Sequence, residues 1–223
     1  ADFPFEIISA MPWERRDVVA DGYGGGRVFI AGDAAHQCSP TGGIGMHTGI
    51  EDAVNIAWKL QAMLDGWGGA KLLDSYEAER LPIGARNVDL ATQAFRQITG
   101  IPGGDALDAD TPEGERQRET MRQAMKDLRR YSISEIDKAQ YCYENSPICV
   151  PDGTPPLPLA DSTAPGGGYV PSARPGTRAP HAWIEPGKST LDLFGDGYVL
   201  VDFETAAEDA APLAEAMRAR DVP

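Results

Sequence analysis

The chain has 223 residues, the length of one large domain or two small ones, and 42% of them are hydrophobic, which is enough to form a core. Its 34 acidic residues outnumber the 20 basic ones, and the net charge of −14 argues against binding to nucleic acid or to an anionic membrane surface. The absence of a signal peptide, of a long apolar run and of any CxxC pair among Cys38, Cys142 and Cys149 predicts a soluble, cytoplasmic protein without a disulfide framework or a metal site.

The two ends of the chain are unusual. It begins at Ala1, without a methionine, on a segment that has the composition of a strand. It ends at Pro223 directly after a predicted helix, where a further strand is expected. We therefore expect a fragment of a longer protein, cut at both ends.

The first part of the chain alternates apolar segments with glycine-rich turns. Residues 5–11 and 27–31 are short and apolar, which predicts two strands, the second of them buried on both faces in a parallel sheet. Residues 22–26 are predicted to form the turn between them. The second strand ends at Gly32-Asp33, and a loop over residues 34–47 follows.

Three helices are predicted next, over residues 48–65, 72–98 and 113–131. Thr48 is expected to be the N-cap of the first, with Glu51 as its capping-box partner. One face of this helix carries an apolar stripe, made of Ile50, Ala53, Val54, Ala57, Leu60 and Leu64. Pro82 marks a kink or a restart in the second helix, and the third is charged enough to be solvated on most faces. Residues 133–143 are ambiguous.

The composition changes after residue 150. Residues 151–180 contain eight prolines and five glycines, which predicts an extended linker rather than a packed element. A strand over residues 198–203 and an Ala-rich helix over residues 208–220 are predicted to follow. One strand and one helix are too little to close a domain, because neither can bury its apolar face alone.

The junction of strand, glycine loop and helix carries the residues that suggest chemistry. A carboxylate at the carboxyl end of a buried parallel strand is well placed to accept hydrogen bonds from a ligand, so Asp33 is a candidate to hold a ribityl or ribose hydroxyl. The loop glycines let the backbone approach a flat ligand, and the following helix start favours negative charge, as on the N1–C2=O edge of a reduced flavin. Gly43, Gly45 and Gly49 form GxGxxxG, one residue too long for the dinucleotide fingerprint, so this loop is not predicted to bind pyrophosphate.

These residues resemble a known family. Residues 27–60, RVFIAGDAAHQCSPTGGIGMHTGIEDAVNIAWKL, are similar to the second flavin-contacting motif of FAD-dependent aromatic hydroxylases, which are flavoprotein monooxygenases. Residues 74–82, DSYEAERLP, resemble the Y-x-x-E-R-x-P helix of the same family. PGTRAPHAW at 175–183 and STLDLF at 189–194 resemble a narrower subgroup, the phenol, chlorophenol and polyketide hydroxylases with a thioredoxin-like C-terminal domain.

The resemblance implies an α/β fold in three parts. Residues 1–150 would be the C-terminal part of a Rossmann-like FAD-binding domain with the helices that follow it. Residues 151–180 would be a linker, and residues 181–223 the start of a thioredoxin-like domain. That last segment has no CxxC pair, so we expect it to serve packing or homodimerisation rather than thiol chemistry.

The resemblance also implies contacts with the cofactor. Asp33, which follows Gly32, matches the aspartate that bonds the ribityl chain of FAD, and Pro40 matches a proline near the isoalloxazine ring. Five consecutive residues match the loop whose backbone meets the pyrimidine edge of the flavin: Gly43, Ile44, Gly45, Met46 and His47. The family has asparagine in place of His47, a change that is tolerable where only the backbone is used. His36 is expected to hydrogen-bond backbone rather than to act as a base.

The activity that the resemblance implies is hydroxylation of a phenolic or other aromatic substrate, with FAD as cofactor, NADH or NADPH as reductant and O2 as co-substrate. The family's N-terminal GxGxxG and most of the sheet that forms its substrate pocket are missing here. We therefore do not expect these 223 residues to hydroxylate a substrate alone.

Two other functions stay open at this point. The first is a non-catalytic interaction or dimerisation module that keeps part of the fold without the cofactor. The second is another flavoenzyme with a GDAAH motif, such as a halogenase or a prenyl-lipid reductase. The linker and the PGTRAPHAW segment disfavour the second, because such an enzyme does not need them.

Overall fold

The computed structural model describes residues 4, 6–101, 103–130, 142–156, 170–195, 197–201 and 207–223. Helices account for most of the regular structure in these ranges: α1 (Gly45–Asp65), α2 (Asp74–Thr99), α3 (Pro112–Arg130) and α4 (Ala207–Arg218). Short strands form antiparallel pairs: β1 (Val18–Val19) with β4 (His36–Gln37), β2 (Gly24–Gly25) with β3 (Val28–Phe29), and β5 (Trp183–Glu185) with β6 (Lys188–Ser189). No helix within these ranges has both the length and the apolar character needed to cross a bilayer.

The strand predictions were only partly right. Residues 27–31 contribute just β3, which folds back on β2 through a turn at Gly26, where φ is +61°. The strand is antiparallel and Val28 is 68% exposed, so the prediction of a buried parallel strand was wrong. The physical reason is the lack of a partner, because no other described segment pairs with the free edge of β3.

The two outer strand predictions also fail where they can be compared. Residues 6–11 and 198–201 form no strand in the described ranges. Residues 5, 202 and 203 of those predictions lie outside the described residues, as do residues 133–141 and, within the predicted linker, residues 157–169. The described remainder of the linker has no helix, and an isolated bridge joins Thr177 to Cys142.

All four helices of the described ranges were predicted from the sequence. α2 runs through Pro82 without interruption, and α4 ends two residues before the predicted end. α3 is charged and solvated as expected, with ion pairs three residues apart such as Arg116–Glu113 and Arg118–Glu115.

The start of α1 differs from the prediction. The helix begins at Gly45, three residues early, and the Thr48 hydroxyl donates to the Ile44 carbonyl at 2.8 Å from inside the first turn. Thr48 is therefore not the N-cap, and Glu51 accepts from Arg80 instead of closing a capping box. The early start follows from Gly43, whose left-handed φ of +63° turns the loop directly into the helix.

The buried face of α1 is polar rather than apolar. The residues buried along it are Thr48, Asp52, Asn55, Lys59 and Ala62. The apolar stripe lies on the other side, where Ile50, Val54 and Leu64 are 54%, 65% and 82% exposed. The polar face is the buried one because it has charged partners on α2.

The two long helices pack antiparallel through these polar residues. Asn87 bonds Thr48 near the start of α1, Arg80 bonds Asp52 further along, and Glu79 bonds Lys59. The order of the partners is therefore reversed between the helices. A small aromatic core lies beside them, where Tyr76 of α2 packs on Tyr23 and donates from its hydroxyl to the carbonyl of Ile30 at 2.8 Å.

The C-terminal segment docks on the far end of α1. The rings of Trp58, Trp67 and Tyr198 contact one another with centroids 6.0–6.4 Å apart. Trp58 is thus a packing residue. The Tyr198 N–H donates to the carbonyl of Pro223, which ties the two ends of this segment together.

A buried contact between Gly84 and Tyr23 generates a prediction about stability. A Cβ at Gly84 would lie 2.0 Å from the Tyr23 hydroxyl oxygen, an atom that is buried without a partner in the described chain. Gly84→Ala should lower the free energy of unfolding by about 1–3 kcal/mol, because the clash outweighs the gain in helix propensity. Urea unfolding followed by circular dichroism measures this effect.

The control is Gly69→Ala, which meets no atom within 4 Å and should change stability little. Tyr23→Phe removes the unpartnered hydroxyl, so it should be close to neutral alone and should recover part of the loss in the double variant. Equal losses in Gly84→Ala with and without the Tyr23 hydroxyl would contradict the predicted clash.

Candidate functional site

The first half of the candidate site is the turn after β3. Residues Gly32–Ala34 form a single 3-10 turn, which the Ala35 N–H closes by donating to the Gly32 carbonyl at 2.8 Å. Gly32 has a φ of +58°, a conformation that glycine adopts without strain. Asp33 is exposed at the middle of this turn, and its carboxylate accepts no hydrogen bond from the described part of the chain. The carboxylate is therefore available to a ligand.

The second half is the glycine loop that leads into α1. Pro40 begins a 3-10 turn that ends at Gly42, and Gly43 follows in the left-handed conformation with no atom within 4 Å of where its Cβ would be. Ile44 is buried and anchors the loop, whereas Met46 is 72% exposed. The His47 Nδ1 atom lies 3.1 Å from the Gly43 carbonyl oxygen, so the side chain bonds its own loop.

These features fit the groups that FAD would present. The hydroxyls of a ribityl chain need an acceptor, and Asp33 offers a free carboxylate. A flat ring needs backbone without side chains in the way, and Gly43 leaves that space open. The first turn of α1 has N–H groups that precede its first helical hydrogen bond, from Thr48 to Ile44, and these favour negative charge on the ring edge.

A buried carboxylate on α1 bonds the Gly32–Ala34 turn, and the sequence analysis did not identify it. Asp52 of α1 is fully buried. Its Oδ2 atom accepts from the Gly32 N–H at 3.1 Å and lies 2.7 Å from Nε2 of His36, while Oδ1 accepts from Nε of Arg80 at 2.8 Å. The expectation that His36 bonds backbone is wrong, since its ring bonds this side chain.

The guanidinium of Arg80 completes the arrangement. It is fully buried and also donates to the Thr48 carbonyl at 3.3 Å, to the Glu51 carboxylate at 3.0 Å and to the Tyr143 hydroxyl at 3.1 Å. One signal in the sequence pointed to these residues. Polar side chains recur at the spacing of one helical face in α1, and the E-R pair of the DSYEAERLP segment supplies their partners.

Electrostatics keep Asp52 ionised. Burial by itself raises the pKa of the Asp52 carboxyl, but hydrogen bonds from His36, Arg80 and the Gly32 N–H outweigh it and bring the net pKa below the ordinary value. An ionised carboxylate only accepts hydrogen bonds, so Nε2 of His36 carries the proton of their contact.

A second buried carboxylate, Glu79, serves a different part of the fold. Its Oε2 atom accepts from Lys59 at 2.6 Å and from the Asn55 amide at 2.7 Å, and its Oε1 atom accepts from the Ser146 hydroxyl at 2.6 Å. Glu79 therefore ties α1 and α2 to the segment around Ser146. None of its bonds reaches the Gly32–Ala34 turn.

The pKa of Asp52 predicts how stability depends on pH. A carboxyl with a folded-state pKa below its unfolded value of about 3.9 stabilises the fold above that value, and the contribution is lost as the pH falls through the folded-state pKa. The free energy of unfolding of wild type should therefore exceed that of Asp52→Asn by the largest amount near neutral pH. This difference, the gap between the two proteins, should shrink below about pH 4. Urea titrations between about pH 7 and about pH 3 measure the gap, and a gap that is constant with pH would contradict an ionised Asp52.

Comparison with known proteins shows what the chain is similar to. Residues 1–91 match the FAD binding domain family. Over 93% of the chain, 36% of residues are identical to the tetracenomycin A2 monooxygenase-dioxygenase of Streptomyces glaucescens, and over 90% of it, 36% are identical to the 4-methyl-5-nitrocatechol 5-monooxygenase of a Burkholderia species. The matched region is 33% of each of these relatives, so the chain spans about a third of their length.

A solved structure extends the similarity to the fold. The rebeccamycin biosynthetic enzyme RebC, with 7-carboxy-K252c bound, superposes on 92% of the chain with a TM-score of 0.77 and 40% identity, and the matched region is 38% of that protein. An α/β FAD-binding fold and the family expected from the GDAAH motif are thereby confirmed. Residues 1–91 match the FAD-binding domain, and the chain as a whole is similar to about a third of the length of FAD-dependent monooxygenases.

Proposed function

We propose that this chain is the part of an FAD-dependent monooxygenase that holds the ribityl chain and the isoalloxazine ring, and that the whole protein hydroxylates a phenolic or other aromatic substrate with NADH or NADPH and O2. The observation that carries the proposal is the exposed carboxylate of Asp33, which has no partner in the described chain and stands on a left-handed glycine turn beside an open glycine loop. The names of the similar proteins, monooxygenases of ring compounds, support the substrate class.

Each residue of the site has a proposed role. Asp33 accepts hydrogen bonds from ribityl hydroxyls, and Gly32 gives the turn the conformation that presents it. Pro40 stands beside the ring, and the backbone of the loop Gly43, Ile44, Gly45, Met46 and His47 lies along its pyrimidine edge. FAD, when bound, supplies the redox chemistry between NAD(P)H and O2, and the chain orients the ring and keeps water from it.

The bond that His47 makes supports the use of backbone alone at that position. Its Nδ1 atom is paired with the Gly43 carbonyl, so the side chain stabilises the loop from within. The asparagine that the family has at this position is therefore not required for the loop to keep its shape.

The arrangement of the longer protein is part of the proposal. We infer the FAD-binding part over 1–150, a linker over 151–180 and a thioredoxin-like segment over 181–223 that serves packing or homodimerisation. The apolar stripe of α1 would be covered by a further part of the FAD-binding domain, which the longer relatives have room to supply. Free cysteines and an acidic composition support a reducing compartment, the cytoplasm.

One observation favours a second candidate function for the 223 residues on their own, that of an interaction module. An exposed stripe with Ile50, Val54 and Leu64 is a surface that self-associating proteins bury. A concentration-dependent dimer that binds no FAD would favour this alternative.

The proposal predicts the effect of Asp33→Ala in the protein expressed from the whole open reading frame. Loss of charge-assisted hydrogen bonds to the ribityl chain should raise the Kd for FAD about tenfold to a hundredfold. Stability of the apoprotein should stay within about 0.5 kcal/mol, because the side chain is exposed and its carboxylate accepts no hydrogen bond from the described residues. Titration calorimetry and thermal unfolding measure the two effects.

Asp21→Ala is the matched control, since it removes an exposed carboxylate of the same charge outside the site. Its Kd for FAD should equal that of wild type. An Asp33→Ala protein that retains its full FAD complement after dialysis would contradict the ribityl assignment.

A further inference from the structure

We propose that Asp52 is a positioning residue for FAD, because its buried carboxylate fixes the turn that aims Asp33 at the ribityl chain. The inference rests on the proposed function, and it assigns a part to a side chain that does not itself touch the cofactor. Three features of the structure carry it: the bonds on either side of Asp33, the immobility of the Asp52 carboxylate, and the close approach of α1 to the turn.

The first feature is that one oxygen atom holds the turn on both sides of Asp33. Oδ2 of Asp52 accepts from the Gly32 N–H, one residue before Asp33, and from the ring of His36, three residues after it. A segment pinned at both points has little freedom to rotate. The exposed carboxylate between these points is therefore presented in one direction, although nothing in the described chain bonds it.

The second feature is that the Asp52 carboxylate cannot turn. Its other oxygen accepts from Nε of Arg80 at 2.8 Å, and Arg80 is held in turn by the Thr48 carbonyl and the Glu51 carboxylate. Both Asp52 and Arg80 are fully buried, so water does not compete for these bonds. The orientation of the turn is therefore fixed relative to α1 and α2, the two longest helices of the described fold.

The third feature is a backbone contact that does not involve charge. A Cβ at Gly49, one turn before Asp52 on α1, would lie 3.2 Å from Cα of Gly32, tighter than most Cβ contacts. The absence of a side chain at Gly49 thus lets the turn sit directly on the helix. Gly32 is therefore held at two points of α1 that are one turn apart, by the hydrogen bond to Asp52 and by the close contact with Gly49.

The test compares two buried carboxylates in the whole protein. Asp52→Asn puts an NH2 group opposite either Arg80 or Gly32, both of which are donors, so one bond to the turn or to its anchor is lost. Glu79→Gln alters a carboxylate that is nearly as buried and accepts as many hydrogen bonds but has no link to the turn. Both variants should unfold at lower temperature than wild type.

FAD affinity separates a positioning role from a structural one. At a temperature where both variants are folded, the Kd for FAD should rise about tenfold in Asp52→Asn and stay near wild type in Glu79→Gln. An equal rise in both variants, or no rise in Asp52→Asn, would overturn the inference.

Gly49→Ala tests the same point without disturbing any charge, and decides the matter where Asp52→Asn does not fold. Ala is the better helix former, which offsets part of the cost of moving the turn, so the protein should stay folded, while the turn is pushed off the helix and the Kd for FAD rises. A stable Gly49→Ala protein with wild-type affinity for FAD would overturn the inference.

The Asp33→Ala variant shows whether a negative result contradicts only the positioning role of Asp52 or the proposed function as well. If Asp33→Ala loses affinity for FAD and the Asp52 and Gly49 variants do not, the site stands and the positioning role falls. If Asp33→Ala binds FAD as wild type does, the ribityl assignment itself falls, and the positioning role falls with it.

Discussion

The described fold depends on one buried ion pair, between Asp52 of α1 and Arg80 of α2. Two charges removed from water are stable only when their attraction and further hydrogen bonds offset the loss of hydration. The bonds that achieve this for Asp52 come from three places: the turn at Gly32, β4 at His36 and α2 at Arg80. Displacing any of the three leaves a buried donor or charge unpaired. The positions of the turn, β4, α1 and α2 relative to one another therefore all depend on Asp52.

The same pair explains why α1 is oriented with its polar face inward. A helix whose polar residues recur every three or four positions can bury the charged ones among them only against a neighbour with complementary charges, and α2 supplies Glu79 and Arg80 in sequence. The apolar stripe is then left outside in the described chain. Because the chain spans about a third of its relatives' length, this exposed stripe and the proposed FAD site are both surfaces that a longer protein would complete.

The buried and the exposed carboxylates have different roles in this arrangement. Asp33 is free in the described chain and is proposed to meet the cofactor, whereas Asp52 is saturated with donors and holds the turn on which Asp33 stands. Glu79 joins the helices to the segment at Ser146 and does not reach the turn. Three acidic residues on neighbouring elements thus have separate parts, set by which donors surround each of them.

The amino-acid sequence by itself determined the family, the spans of the helices and the loop that holds the candidate site, because each depends on residues close together in the chain. The GDAAH motif and the glycines after it are contiguous, and helical periodicity is local. Only the tertiary structure decided which face of α1 is buried, that His36 bonds a carboxylate and that β3 turns back on β2. Those outcomes depend on partners far apart in sequence, such as Asp52 and Arg80, which are 28 positions apart, or on the lack of a described strand at an open edge. Burial is a property of the assembled elements, and no local pattern specifies which neighbours will be present.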